Sequence, residues 1–271
     1  VSFPAGVETA TMSCQDADDC SVDAEVIEHA MSRHSRLRLV LLQVRSHRGS
    51  LLQERECFVE RCGIGSEQLH AVNLIDEPGI RWEHVRDAHA VFIGGSGDYS
   101  VREHYPFTEA LTEVIHRLIE DDRPVLGTCW GHQFLAHATD GVVVEDLEAS
   151  EVGSFDVELT REGLSDPLFA GFPTRFCAQL GHKDRVSKHG PGWEELAFSS
   201  ACPNQAIRLR GKPVYGTQFH GDMSEQRFRE RLNVYRAEYA PNPGDYERIT
   251  ELLRPSPQAD QVLGRFLTLY A

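Results

Sequence analysis

The runs "LRLVLLQV" (37–44), "LHAVNLI" (69–75), "HAVFIGG" (89–95) and "PVLG" (124–127) limit most strongly how this chain can fold. Each is short and apolar. Between them lie stretches with helical spacing, "LLQERECFVERC" (51–62) and "FTEALTEVIHRLIED" (107–121), and "GHQFLAHAT" (131–139) follows the fourth. Short apolar strands alternating with helices predict an α/β fold, a parallel sheet covered on both faces. After Val142 the texture changes. "VGSFDVELT", "TRFCAQL", "ELAFSS", "AIRLR" and "PVYGTQF" are closely spaced strand candidates, which adds a small antiparallel region. From about Glu225 the pattern predicts two or three helices. Residues 1–36 are polar, acidic and poorly periodic, and predict a flexible N-terminal arm with one short helix at 23–32. No repeat or low-complexity linker marks a boundary.

The acidic balance narrows the partners. Lys and Arg number 27 against 42 Asp and Glu, a formal net charge of −15. That excess argues against nucleic acid or an anionic membrane as the main partner. No run approaches the roughly 18 apolar residues of a membrane span, and the N-terminal residues lack a basic segment followed by an apolar one. The seven cysteines are scattered without a Cys-x-x-Cys pair, so neither a zinc nor a redox motif is expected. A reducing, cytoplasmic setting fits them.

One cysteine has a special setting. In "VLGTCWGHQ", Cys129 lies between Gly127 and Gly131, where a strand gives way to a helix. This is the cysteine counterpart of the Gly-x-Ser-x-Gly turn, in which a tight strand-to-helix bend pushes the nucleophile out at the sheet edge. A helix N-terminus presents the partial positive charge that favours a thiolate. The backbone N–H of Trp130 would face an oxyanion formed on an attacked carbonyl. Taken alone, the pattern equally describes a buried cysteine in an ordinary βα turn.

A base is found in "KPVYGTQFHGD". His220 follows an apolar strand and Asp222 is two residues on, on the same side of an extended chain. The carboxylate can hold one imidazole nitrogen and leave the other facing Cys129. Alone, this too reads as a strand-end histidine beside a solvated aspartate. Together the two segments predict nucleophile, base and orienting carboxylate.

With both segments in view, "GTCWGHQ" and "YGTQFHGD" resemble the two signature motifs of class I glutamine amidotransferases. So does the intervening "DPLFAGFPTRFCAQLGHKDRV" and the sequence up to "CPNQAIR". The likeness runs from about Arg38 to Arg236. Its flavour is nearest the amidotransferase domain of GMP synthase and stand-alone γ-glutamyl peptidases. It implies a flavodoxin-like amidotransferase domain at 37–236, with 237–271 as a helical extension packed on it. It implies catalytic roles for Cys129, His220 and Asp222. "VFIGGSGDYSV" resembles the family's oxyanion loop, usually Gly-Gly-Pro; Gly95 would supply a second N–H and Gly94 would touch substrate. A phosphate-binding loop is a competing reading of that run, but it lacks the Gly-Lys-Ser/Thr ending. Gln133, one turn beyond the nucleophile, would contact the α-amino and carboxylate end of glutamine. "GHKDRV" resembles the family's Ser-His-Gly-Asp segment, which makes Lys183 and Asp184 substrate contacts and His182 structural. Trp130 is a pocket wall or a packing residue.

Two departures stand out. The family's His-Pro-Glu is His-Gly-Asp here, and Lys183 replaces a usual glycine. Glu225 is a conceivable substitute partner for His220. The resemblance implies hydrolysis of the γ-amide of glutamine through a γ-glutamyl thioester, releasing ammonia and glutamate, with no metal or organic cofactor. A stand-alone γ-glutamyl peptidase or amide hydrolase is the alternative, and a catalytically inactive regulator the third. The 35 residues after 236 are too few for a synthetase domain, so either a separate synthetase is the partner or no ammonia acceptor exists.

Overall fold

The structure, a computed structural model, describes residues 37–271. The expected N-terminal arm and its short helix lie outside the described residues. In chain order the elements are β1 (Leu39–Gln43), α1 (Arg48–Cys62), β2 (Leu69–Asn73), β3 (Ala90–Ile93), α2 (Thr108–Glu120), β4 (Val125–Thr128), α3 (Trp130–His137) and β5 (Val142–Glu145). Then come β6 (Glu151–Leu159), α4 (Arg161–Ser165), β7 (Arg175–His182), β8 (Asp184–Lys188), β9 (Trp193–Ser199), β10 (Ala206–Leu209) and β11 (Val214–Thr217). The last segments are α5 (Glu225–Val234), α6 (Arg236–Tyr239), α7 (Asp245–Glu251) and α8 (Val262–Tyr270).

Nine strands form one sheet in the order β2-β1-β3-β4-β11-β10-β9-β6-β7. The pairings from β2 through β11 are parallel, and those from β11 to β7 are antiparallel. The antiparallel strands therefore extend the central sheet, and only β5 and β8 pair apart from it. Neither β5 nor β8 carries an apolar run clear enough to be read from sequence: "DRVSK" is largely charged, and "VVVE" is short and partly exposed.

The parallel strands are apolar throughout because each face meets a different layer. In β1, Leu39 and Leu41 enter one core with Phe58 of α1 and Phe266 of α8. Val40 and Leu42 enter the other, with Leu111 and Ile115 of α2 and Phe134 of α3. β3 repeats the alternation: Ala90 and Phe92 on one side, Val91 and Ile93 on the other. A period of two with both phases apolar is what a doubly covered strand requires.

Four helical segments follow Glu225 where two or three were expected, because Tyr235 and Gly244 interrupt the helical run. The last is integral to the core. Phe266 is fully buried, with its ring centroid 6.0 Å from those of both Phe92 and Tyr215. Phe266→Ala is therefore expected to cost about 3–5 kcal/mol. Urea denaturation checks this, and a loss below about 1 kcal/mol would make α8 an appendage.

Candidate active site

β4 passes into α3 through the single residue Cys129, which sits at φ 52°, ψ −103°. The other non-glycine residues with positive φ, among those described, are Asp122, Asp140 and Asn204. Asp and Asn tolerate this region through local hydrogen bonds; cysteine has none to offer. A conformation of this kind costs about 1–3 kcal/mol and persists only where the surroundings over-determine it. Here they do. The Cys129 N–H donates to Thr217 O at 2.7 Å, and the Gly131 N–H donates to Gly94 O at 3.1 Å. A Cβ on Gly131 would lie 2.2 Å from Ile93 O, and one on Gly127 would lie 2.5 Å from the Gly131 carbonyl. Both glycines are there because the helix start is pressed onto the strand ends.

His220 arrives from the end of β11. Its own N–H donates to Gln179 O of β7 at 2.9 Å, which fixes the chain there. The ring Nδ1 is 3.0 Å from Asp222 Oδ1, and both side chains are buried. A Cβ on Gly95 would lie 3.1 Å from His220 Cε1 and 3.6 Å from Cys129 Cβ, so imidazole, thiol and loop converge on one point. Burial pushes the His220 pKa down, but the charge and hydrogen bond of Asp222, together with contact to Cys129, raise it to about 9. Burial pushes Asp222 up, and His220 and Arg231 outweigh it, holding the carboxylate below its ordinary range.

The shorter His-Gly-Asp motif is accommodated by a close approach of backbone. A side chain at Gly221 would meet Ala259 O at 3.1 Å and Val262 Cβ at 3.3 Å. Asp222, not Glu225, holds the imidazole.

Cys129 forms part of the wall of a polar cavity of about 210 Å³, which it shares with Trp130, Gln133, Lys183 and Asp184. The Trp130 ring is buried, stacked on Phe134 with centroids 4.9 Å apart, so its packing role is real. As the first residue of α3, its backbone N–H has no partner within the helix. Gln133 donates to Asp184 O at 2.7 Å and to Gln218 Oε1 at 3.0 Å, fixing the cavity wall through its NH₂ group. The Asp184 carboxylate accepts from Ser100 Oγ at 2.5 Å and from Arg102 Nε at 3.2 Å. Lys183 reaches outward to Glu238, 2.5 Å away, and over the Tyr239 ring. His182 bridges Glu151 and the Asp184 carbonyl, both at 3.1 Å, a structural position.

Gly94 and Gly95 are differently placed from the expectation. Both are buried beneath the cavity, and the Gly95 N–H donates to Glu54 Oε1 at 3.0 Å instead of standing free. Glu54 is fully buried and also binds Arg45 Nη2 at 2.6 Å. Sequence reasoning missed this pair, along with Gln218, whose Nε2 is 3.6 Å from Cys129 Sγ. Gln218 lies within the quoted His220 segment, which was the one signal that could have found it. Nothing in the sequence marks Glu54, one of several acids on a charged helix.

A cysteine on a strained strand-to-helix turn of a parallel sheet, with a histidine and a carboxylate delivered from the end of the neighbouring strand, is the arrangement that the resemblance to class I amidotransferases leads one to expect. The profile of the family "Glutamine amidotransferase class-I" matches residues 69–233, and the chain belongs to that family. It is 31% identical over 147 residues to a glutamine-hydrolyzing GMP synthase subunit from Methanothermobacter thermautotrophicus, covering 54% of this chain and 72% of that protein. The corresponding protein of Methanocaldococcus jannaschii is 38% identical over 123 residues, 45% of this chain and 63% of that one. Among solved structures, a glutamine amidotransferase of Thermotoga maritima superposes with a TM-score of 0.67 at 20% identity, covering 87% of this chain and 97% of that one. No helix of the described residues is long and apolar enough to cross a membrane.

Asp222→Asn removes the charge that offsets burial of His220. The His220 pKa, raised to about 9 in the wild type, is then expected to fall, because burial, the largest effect on it, is left opposed only by Cys129. A pH–rate profile of amide cleavage should show the alkaline limb displaced downward accordingly, with kcat reduced by about 10²–10⁴-fold. An unmoved limb would separate Asp222 from the titration of His220.

Proposed function

We propose that the chain is a hydrolase of γ-glutamyl amides, with glutamine as the first substrate, acting through Cys129, His220 and Asp222. The single observation that carries this reading is Cys129 itself: a non-glycine residue in a disfavoured backbone region, at a helix N-terminus, beside an imidazole whose other side is held by Asp222 at 3.0 Å.

In this reading the Cys129 sulfur attacks the γ-carbonyl carbon. A C–S bond forms, and the carbonyl electron pair moves onto oxygen, toward the Trp130 N–H. When the tetrahedral species collapses, the C–N bond breaks and His220 gives its proton to the departing amine. A γ-glutamyl thioester remains on Cys129. Neutral His220 then takes a proton from water as the water attacks the thioester carbonyl; the C–S bond breaks, the Cys129 thiolate leaves, and glutamate is released. Asp222 holds the ring through Nδ1 in both halves. Gln133, Lys183 and Asp184 are proposed to line the site for the glutamyl group. Because the relatives are named as subunits of a glutamine-hydrolyzing GMP synthase, a separate synthetase that consumes the ammonia is the proposed partner.

A second reading is favoured by the outer cavity. Lys183, where the family usually has glycine, lines it with Glu238 and Tyr239, and so leaves a charged rim for a leaving group larger than ammonia. In that case the substrate is a γ-glutamyl peptide or amide, cleaved by the same residues.

The test is covalent capture. A thiol-directed glutamine analogue is expected to label wild-type protein at Cys129, detected by mass, and to leave Cys129→Ala unlabelled. Wild type that resists labelling, alone and with a synthetase present, would favour an inactive regulator. Ammonia from glutamine, measured against glutamate from γ-glutamyl dipeptides, separates the two enzymatic readings: turnover of dipeptides alone removes the glutaminase.

A further inference from the structure

Three buried side chains of unlike chemistry meet where β6 begins and β7 ends. Glu151 and His182 are register partners across those two strands, and Cys202 lies in the turn between β9 and β10. Their exposures are 1%, 2% and 1%. A carboxylate oxygen, a ring nitrogen and the Sγ of these residues all lie within 4.8 Å of one another. They come from three separate stretches of chain, so no ligand-spacing motif marks them in the sequence. None of them takes part in the thioester chemistry above.

The hydrogen bonds around the group are arranged as for a ligand. His182 Nδ1 is 3.1 Å from Asp184 O, and Nε2 is 3.1 Å from Glu151 Oε2. A carbonyl only accepts, so Nδ1 carries the hydrogen, which fixes the ring and leaves Nε2 facing the group. Metal-binding histidines are held in this way, with the far N–H on a carbonyl or carboxylate. Glu151 Oε2 also accepts from Gln205 Nε2 at 2.6 Å, whereas Oε1 is buried with no hydrogen-bond partner. A buried carboxylate oxygen without a donor is costly, and a cation removes that cost. The turn that carries Cys202 is pinned as well. Its N–H donates to Ser199 Oγ at 3.0 Å, and its carbonyl accepts the Ser199 N–H at 2.8 Å.

We propose that Glu151, His182 and Cys202 bind one zinc ion. Carboxylate, imidazole and thiolate donors together suit that borderline-soft ion, where calcium and magnesium take oxygen alone. Donors about 2.0–2.3 Å from one tetrahedral ion stand about 3.2–3.7 Å apart, so the 3.1 Å between Nε2 and Oε2 already fits, and Cys202 has to close by on the order of 1 Å. Binding breaks the Cys202 S–H bond, forms a Zn–S bond and releases the proton to solvent; no electron is transferred. His182 stands between Gly181 and Lys183 in the wall of the Cys129 cavity. The ion therefore staples β6, β7 and the turn after β9 behind that wall.

The test uses Cys129→Ala protein, so that the Cys129 thiol cannot take the metal. After chelation and dialysis, zinc is expected to bind and to raise the melting temperature as its concentration rises. Cobalt(II) in its place should show a thiolate-to-cobalt charge-transfer band and the visible absorption of a tetrahedral ion. In the same background, Cys202→Ser should abolish the charge-transfer band and weaken zinc binding about 10²-fold or more. Glu151→Gln keeps the size of the side chain, removes its charge and should weaken binding comparably. Cys177→Ser, at a half-buried cysteine outside the group, should leave band and affinity unchanged. Melts without metal establish that the variants fold, and Cys202→Ser decides alone where Glu151→Gln does not. A cobalt band that survives Cys202→Ser would put the metal elsewhere. Absence of binding, or binding without a thiolate band, would leave Glu151 and His182 as a plain ion pair. Either result overturns the assignment. Because the Cys129 thiol is missing throughout, neither bears on the thioester reading, which stands or falls on covalent capture.

Discussion

The first turn of α3 is seated directly on the ends of β3 and β4, and the bend at Cys129 exists because of that contact. Ile93 O occupies the space that a side chain at residue 131 would need, and the Gly131 carbonyl occupies the space above Gly127. With helix and strands pressed together, the chain has one residue in which to reverse direction. That residue takes a positive φ and projects its side chain from the sheet edge. The position of the Cys129 sulfur follows from this packing, and so does its relation to the strand that delivers His220. The strain is held by Thr217 O and Gly94 O, both from neighbouring parallel strands or their ends. The parallel half of the sheet and the bend at Cys129 thus depend on one another.

A second layer lies beneath the first. Glu54, Arg45 and Gln43 form a buried polar group under the glycine loop, and Tyr235 joins it through Arg45 Nη1 at 3.3 Å. A buried ion pair of this kind contributes little net stability compared with apolar packing, but losing one partner is severe. Its physical consequence here is directional: it fixes the plane of the Gly94–Gly95 peptide. The antiparallel strands do a comparable service on the other side. β7 holds His220 by a single bridge at Gln179, and its end carries Gly181 and His182 into the cavity wall.

The pairing of His220 with Asp222 shows how a departure from a motif is absorbed. Aspartate is one methylene shorter than glutamate, so the carboxylate reaches the ring only if the backbone lies suitably. Gly221 permits the chain to lie against Ala259 and Val262 without a side chain between. The C-terminal helix, which belongs to the main core, is thereby also the floor beneath the strand end that carries His220.

The strand–helix alternation, the bend at Cys129 and the pairing of His220 with Asp222 were all legible in one dimension. Each is local or periodic: apolar runs, flanking glycines, and a two-residue spacing in extended chain are visible without knowing what lies opposite. β8 went unread, because a strand made largely of charged residues has no period to show. The Gly95 N–H, assigned to an oxyanion hole from the motif, is held by Glu54. That point was settled by the folded chain, together with the burial of Glu54 and Arg45 and the outward reach of Lys183. The physical reason is that a backbone donor's direction, or a charge's partner, depends on atoms far away in sequence. As a letter in a string, Glu54 is an ordinary charged helix residue; only the fold brings it to a loop that begins some forty residues further on.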